Sequence, residues 1–526
     1  MRRGPRGYVC GANPHTTAPE PSAMPTYPAT HTTDHYEPAR EEIEKVITDL
    51  SGETMKTKDH AEVEDFVEER LKEVKRRLMQ GHFDQRSAEE EAIPVVGADG
   101  IRRTHRRTTD PVQLMTIFGL VTLTRIALSA RGKSSLMPLD AALNMPPGLY
   151  SFGVRQRLTW EVATGSYEQA IENLERTTGA SVFKRQAEEA VIHSMVDFDA
   201  FYAFAPVKEV PPSAFQVLSF DGKGIVMRPE GLRPATRKAA ENATQKLDSR
   251  LSPGEKKNRK RMAEVAAVYS IEPWIRTTDQ VLKAPGCGPL RPRPRPENKR
   301  VWASIVEDAR MVVHDAFVEA AIRDAHLERQ WIVLVDGNKD QLRYVRQSAG
   351  EIGKPVTLIL DIVHAIEYVW KAAWALFAKG DKAAERWVVD KIRRLLDGKV
   401  STVAAGIRRS GTLRGVKGTK REAIDKCANY LLKHKAMMRY DVYLFAGMPI
   451  GTGVIEGACR HLVNDRMDIT GARWGLAGAE AVLQARALRI CGDLDAYWDF
   501  HRRRELESNH LIRYDEAELP ALREAA

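Results

Sequence analysis

Phe215-Gln216-Val217-Leu218-Ser219-Phe220-Asp221-Gly222-Lys223-Gly224 is the stretch on which the fold turns. Its first six residues have the apolar pattern of a strand. They run into Asp221, and a carboxylate in a central strand is costly to bury unless something pairs with it. A metal ion is one such partner. Asp-Gly is also a common turn dipeptide, so Asp221 alone reads as the end of a strand. Ile225-Val226-Met227 then resumes the strand pattern.

The pattern recurs downstream. Trp331-Ile332-Val333-Leu334-Val335 ends at Asp336-Gly337, and Val356-Thr357-Leu358-Ile359-Leu360 ends at Asp361, with His364 and Glu367 on the helix that follows. Near-continuous apolar strands are covered on both faces, as in α/β sheets. Such sheets gather ligands at the carboxyl ends of their strands, so the three acids can converge. An Ala- and Val-rich helix from Trp302 to Ala325 is expected as a crossover, and Ala263 to Ile271 as a further strand. A fourth acid, Glu456, follows the small-residue loop Met448-Pro449-Ile450-Gly451-Thr452-Gly453 and opens a helix. Helical spacing puts Arg460 and Asn464 on its face, where they could contact phosphate, with Arg466 on the same stretch.

The N-terminal half has another character. Residues 39–82 alternate charge with a helical apolar period and predict a helix pair; Thr109 to Arg131 predicts a β-hairpin. Ser166 and Ser181 stand as N-caps of two helices joined by Thr177-Thr178-Gly179. The second helix carries Lys184, Arg185 and Gln186 in its first turns. That layout fits a helix-turn-helix, whose second helix reads base edges in the major groove, with plain packing as the alternative.

The chain has 526 residues and a net charge of +9. From Arg233 to Arg300, 17 Lys and Arg stand against 7 Asp and Glu, an excess as large as that of the whole chain. Lys391 to Lys426 holds 11 against 3. Basic stretches beside a carboxylate site point to a polyanion, and Lys256, Lys257, Arg259, Lys260 and Arg261 are the densest such run. No uncharged apolar run reaches the ~18 residues of a membrane span. The five cysteines form no C-x-x-C pair, which predicts a reduced, cytoplasmic protein without a zinc site. Arg2, Arg3 and Arg6 precede Pro, Thr and His rather than an apolar core, so no secretory signal is expected.

Three blocks, SFDGKG at 219–224, LVDG with LILDIVHAIEYVW at 334–370, and IGTGVIEGACRHLVNDRMDITGARW at 450–474, carry a family likeness. With PLDAALNMPPGLYS at 138–151, they resemble the DDE transposases of bacterial insertion sequences, in the Kra-type group related to Mutator-like enzymes. The resemblance implies an α/β ribonuclease H-like catalytic core with an all-α insertion, preceded by a mainly helical DNA-binding region. By motif, the catalytic acids fall on Asp221, Asp336 and Glu456; Asp361 stands as an alternative second acid or accessory metal ligand. Two Mg²⁺ ions, replaceable by Mn²⁺, are the implied cofactor, and such hard cations take oxygen ligands. The implied partners are the element's ends and target DNA, bound by a homo-oligomer associated with the nucleoid. The implied reaction is cleavage at the ends followed by attack of the freed 3′-OH on target DNA. A nuclease with the same core, or a DNA-binding regulator with a decayed site, are the alternatives.

The expected layout is a tail at 1–38, helices at 39–108, and a β element with the helix-turn-helix at 109–205. The first part of the core follows at 206–370, with a basic insertion at 231–262, then the α insertion at 371–445. The glutamate segment at 446–500 and a tail at 501–526 complete the chain.

Overall fold

The computed structural model describes residues 34–242, 255–256, 258–289, 291–469 and 471–517. The expected N-terminal tail falls almost entirely outside them, as does Lys257. Helices Glu37–Ser51 and His60–Ala88 form the expected pair. Glu42 joins them, with Arg70 at 3.0 Å and Arg77 at 3.3 Å. The hairpin Val112–Thr116 with Gly119–Leu123 follows, and Ile126–Ser129 pairs with His105–Thr108. Three helices, Phe152–Val162, Tyr167–Thr177 and Lys184–Ser194, lead into the central sheet.

That sheet has five strands, numbered in chain order: β1 (Phe215–Val226), β2 (Lys260–Ile271), β3 (Glu297–Ser304), β4 (Trp331–Val335) and β5 (Val356–Leu360). Their spatial order is β5-β4-β1-β2-β3. β1, β4 and β5 run parallel, while β2 is antiparallel to both β1 and β3. The protein is therefore mixed α/β with a mixed sheet. Val217, Ile332, Val333 and Leu334 are wholly buried, as near-continuous apolar strands require.

Four expectations are corrected. First, β1 does not stop at Asp221 but runs unbroken to Val226, paired throughout with β2. Gly222 and Gly224 serve close packing rather than a turn: a Cβ on Gly222 would stand 3.0 Å from Met262 Cε, and one on Gly224 2.9 Å from Lys260 Cδ. Second, the basic run at 231–262 is not wholly an insertion, because β2 begins at Lys260. Third, Trp302 lies in β3, and the crossover helix is Ala309–Arg323, started by Asp308, whose carboxylate accepts the Arg310 and Met311 amides. Fourth, residue 501 opens no tail. Helix Leu494–Asn509 runs across it, and Tyr514 is buried against the N-terminal β element.

Residues 371–445, expected as an α insertion, are helical at Lys382–Leu396, Val400–Leu413, Gly418–His434 and Tyr440–Phe445, after the long helix Ile362–Leu376. The short glutamate helix Gly453–Ala458 and helix Leu476–Cys491 follow. Among the described residues, no helix is long and apolar enough to cross a membrane.

Candidate active site

Strand register brings the three aspartates together. Ser219 of β1 faces Leu334 of β4, and Val335 of β4 faces Leu360 of β5. Continuing those registers puts Asp336 level with Asp221 on one side and Asp361 on the other. Neighbouring strands lie ~4.8 Å apart and in-register side chains share a face. The three aspartates thus stand on β1 and just past the ends of β4 and β5, on the carboxyl side of three adjacent parallel strands. A side-chain amide braces the first pair: Gln341 Nε2, on the helix after Asp336, donates to the Phe220 carbonyl at 3.2 Å.

The glutamate helix touches this row at both ends. Thr452 Oγ1 donates to Asp361 Oδ2 at 2.7 Å and stands 3.3 Å from Glu456 Oε1. Three residues after Glu456, the Cys459 thiol donates to Asp221 Oδ2 at 3.2 Å. The backbone then departs from α geometry: Cys459–Asn464 is a π-helical turn. Such turns slip the side-chain register by one position and are frequent at functional sites. The slip removes the expected α spacing between Glu456 and Asn464.

Each aspartate has its own surroundings. Asp221 is half-buried, its Oδ2 also 3.0 Å from the Lys223 ammonium. Burial pushes the Lys223 pKa down, but Asp221, Cys459 and Glu456 outweigh it, and the net shift is upward. The Cys459 thiol pKa is raised, by burial first and by Asp221 second, so the thiol stays a neutral donor. Asp336 Oδ1 accepts the Asn338 amide at 2.8 Å, while Oδ2 has no hydrogen-bond partner among the described residues. Its carbonyl accepts from Tyr430 Oη at 2.8 Å, and the Tyr430 ring stacks on Tyr368 at 3.8 Å. The insertion helix Gly418–His434 therefore grips the second acid's backbone. Asp361 differs: it is 3% exposed, Oδ1 accepting the Val363 and Thr452 amides at 3.0 and 3.3 Å and Oδ2 the Thr452 hydroxyl. Its oxygens are committed to protein donors, so it holds the site's frame.

The donor set suits a hard divalent cation, since Asp221, Asp336 and Glu456 offer only carboxylate oxygens. The Lys223 ammonium already shows a cation drawn to Asp221. In this arrangement, no group of three or more His, Cys, Asp or Glu among the described residues is drawn tightly enough to enclose a metal.

The expected DNA contacts divide. Arg185 is exposed at 90% of its side chain, with Glu189 at 3.2 Å. Lys184 pairs with Glu168. Gln186 Oε1 accepts from Tyr150 Oη. The helix bearing them starts at Lys184 with no side-chain cap; Ser181 instead donates to Glu175 at 3.0 Å, which corrects the expected cap. Arg460 is exposed, and Lys256, Arg259 and Lys260 are half-buried. Two arginines depart from the expectation. Arg261 spends its guanidinium on the carbonyls of Ile305, Gly231 and Val306. Arg466 is 4% exposed and donates to the Val162 carbonyl at 3.1 Å. Both guanidinium groups are tied to backbone carbonyls of the fold.

No family model matches the chain, and no curated protein is significantly similar to it. Sequence reasoning misses Lys223, Thr452, Cys459 and Tyr430 as parts of the site. Lys223 and Cys459 lie in view, two residues from Asp221 and three from Glu456. Thr452 and Tyr430 carry no signal beyond their neighbourhood.

Proposed function

We propose that this protein is a DNA-processing enzyme of the DDE transposase type, with a ribonuclease H-like core that cuts DNA at element ends and joins the freed 3′-OH to target DNA. The observation that carries the reading is the alignment of Asp221 and Asp336 on adjacent parallel strands, with Glu456 fastened beside them through Thr452 and Cys459. The strand order, with β1 central, β2 and then β3 joined antiparallel in turn on one side and β4 and β5 parallel on the other, supports the ribonuclease H-like assignment. Asp221, Asp336 and Glu456 would hold the divalent cations, which when bound supply activation of an attacking oxygen and stabilisation of a leaving one. The chain's own work is placement. The sheet fixes two acids, Thr452 fixes the orientation of the third, and Tyr430 pins the turn that carries Asp336. Lys223 supplies positive charge beside Asp221, suited to an anionic phosphate.

The test is cleavage of a plasmid carrying the gene's flanking DNA, with Mg²⁺ or Mn²⁺. Asp221→Asn, Asp336→Asn and Glu456→Gln should each abolish cleavage while duplex binding stays nearly unchanged, because the acids act on the transition state. Wild-type cleavage by any of the three would remove that residue from the site. Cleavage without joining, under conditions that supply target DNA, would make the protein a nuclease.

A further inference from the structure

A second site lies away from the carboxylates. A cleft of about 900 Å³ separates the helices Tyr167–Thr177 and Lys184–Ser194 from the start of helix Leu476–Cys491. Arg228, Arg259 and Arg473 line it, and none has an ion-pair partner among the described residues. Lys184 lines it too, held by Glu168, and Glu188 is the other acid on its wall. The 16-residue helix Leu476–Cys491 begins in the cleft at Gly475, with no side-chain cap. Its first-turn amides, from Leu476 to Gly478, have no intrahelical acceptors, and the helix end carries partial positive charge.

An independent observation points the same way. Tyr167 lines the cleft, is only 7% exposed, and its hydroxyl has no hydrogen-bond partner. A buried hydroxyl without a partner is a costly group to retain. Its surroundings are the cleft-lining charges of Glu188 and Arg466. The unspent donors are a hydroxyl, three guanidinium groups and a helix N-terminus. Together they make a receptor for a tetrahedral oxyanion.

We propose that this cleft binds a backbone phosphate of duplex DNA, clamping the strand between the helix-turn-helix and the sheet-bearing core. The inference rests on the DNA-processing reading and adds a phosphate seat to it. Tyr167 Oη donates to a phosphate oxygen, the helix amides face another, and Arg228, Arg259 and Arg473 neutralise the flanking charge.

The experiment uses the full chain, a labelled duplex of random sequence and EDTA, so that catalysis plays no part. Arg228→Gln, Arg259→Gln and Arg473→Gln should each lower the slope of log affinity against log salt, by ~0.9 for every phosphate left without its arginine. Tyr167→Phe should weaken binding about 3- to 10-fold with the slope unchanged, since it removes one neutral donor. Arg473 is exposed, so its variant reports on binding without a folding penalty. Wild-type slope and affinity in the triple arginine variant and in Tyr167→Phe would overturn the cleft assignment alone. Failure of the wild-type protein to bind duplex DNA would overturn the parent reading as well. Inorganic phosphate is the third arm. If it raises the melting temperature of the wild type but not of the triple variant, and the two bind the duplex equally, the cleft is a free-anion site and the proposal falls.

Discussion

A carboxyl group that is 3% exposed needs donors to replace the water it has lost, and Asp361 receives three: two amides and the Thr452 hydroxyl. The same hydroxyl lies against Glu456, so the buried acid governs where the glutamate helix sits. Thr452→Val keeps the shape and removes that donor. It should cost about 1–3 kcal/mol in denaturant unfolding and reduce cleavage without abolishing it. Asp361→Asn should behave alike. If Asp361→Asn were inactive at wild-type stability while Asp336→Asn cut DNA, Asp361 would be the metal-binding acid instead. The three aspartates are legible because each follows a run of apolar strand residues and the pattern recurs three times, while Glu456 is marked by the small-residue loop before it. Thr452 and Cys459 are not, since a hydroxyl or thiol breaks no pattern. Arg261 and Arg466 mislead because an arginine has the same letter whether its guanidinium meets phosphate or backbone carbonyls.

Elements are easier to see than their ends. β4 and β5 end where the apolar runs do. β1 runs past its acid because glycine in a strand can mark close approach as well as a turn, and only the partner strand decides which. The end of β3 reads as part of the crossover helix because Val301-Trp302-Ala303 suits either period over so short a span. The junction after β3 offers its own test. Glu480, on helix Leu476–Cys491, accepts the Ile305 amide at 2.8 Å and the Val306 amide at 3.3 Å. Burial outweighs those bonds and raises its pKa above the ordinary glutamate value. A carboxyl whose folded pKa is raised binds more protons folded than unfolded across the window between the two values. Stability contributed there falls as pH rises from about 4.5 through the folded pKa. Glu480→Gln keeps the acceptor and removes the titration. Unfolding midpoints taken from pH 4.5 to 7 should therefore decline less steeply in the variant than in the wild type. Parallel curves would mean that Glu480 ionises without penalty.

At the scale of the molecule, the N-terminal helices and the central sheet are joined into one body by buried contacts. Arginines and aromatic groups from the C-terminal half bind the N-terminal helices to the core. Tyr497 Oη donates to the Ser194 carbonyl at 2.6 Å, and His501 Nδ1 lies 2.7 Å from Asp197. Arg466 holds Val162. Arg486 is the central tie: its guanidinium donates to the carbonyls of Ala163, His461 and Leu462, the last at 2.7 Å. Ala163 ends the first N-terminal helix of the trio, while His461 and Leu462 lie in the π-helical turn that follows Glu456. One buried side chain thus spans the end of helix Phe152–Val162 and the segment that follows Glu456. Burial lowers its pKa to about 10, which leaves it fully charged at neutral pH. Arg486→Met preserves the stem and strands three carbonyls. It should lower unfolding stability by about 3 kcal/mol. It should also expose the connections around residue 164 to limited proteolysis. On the proposed function, duplex binding should persist, because Arg486 is buried and its guanidinium is spent on backbone carbonyls, and cleavage should fall with the loss of a fixed path from Ala163 to Glu456. A variant as stable and protease-resistant as the wild type, with cleavage intact, would show that the two halves are held together without this arginine. The coupling would then have to run through the Tyr497–Ser194 and His501–Asp197 contacts.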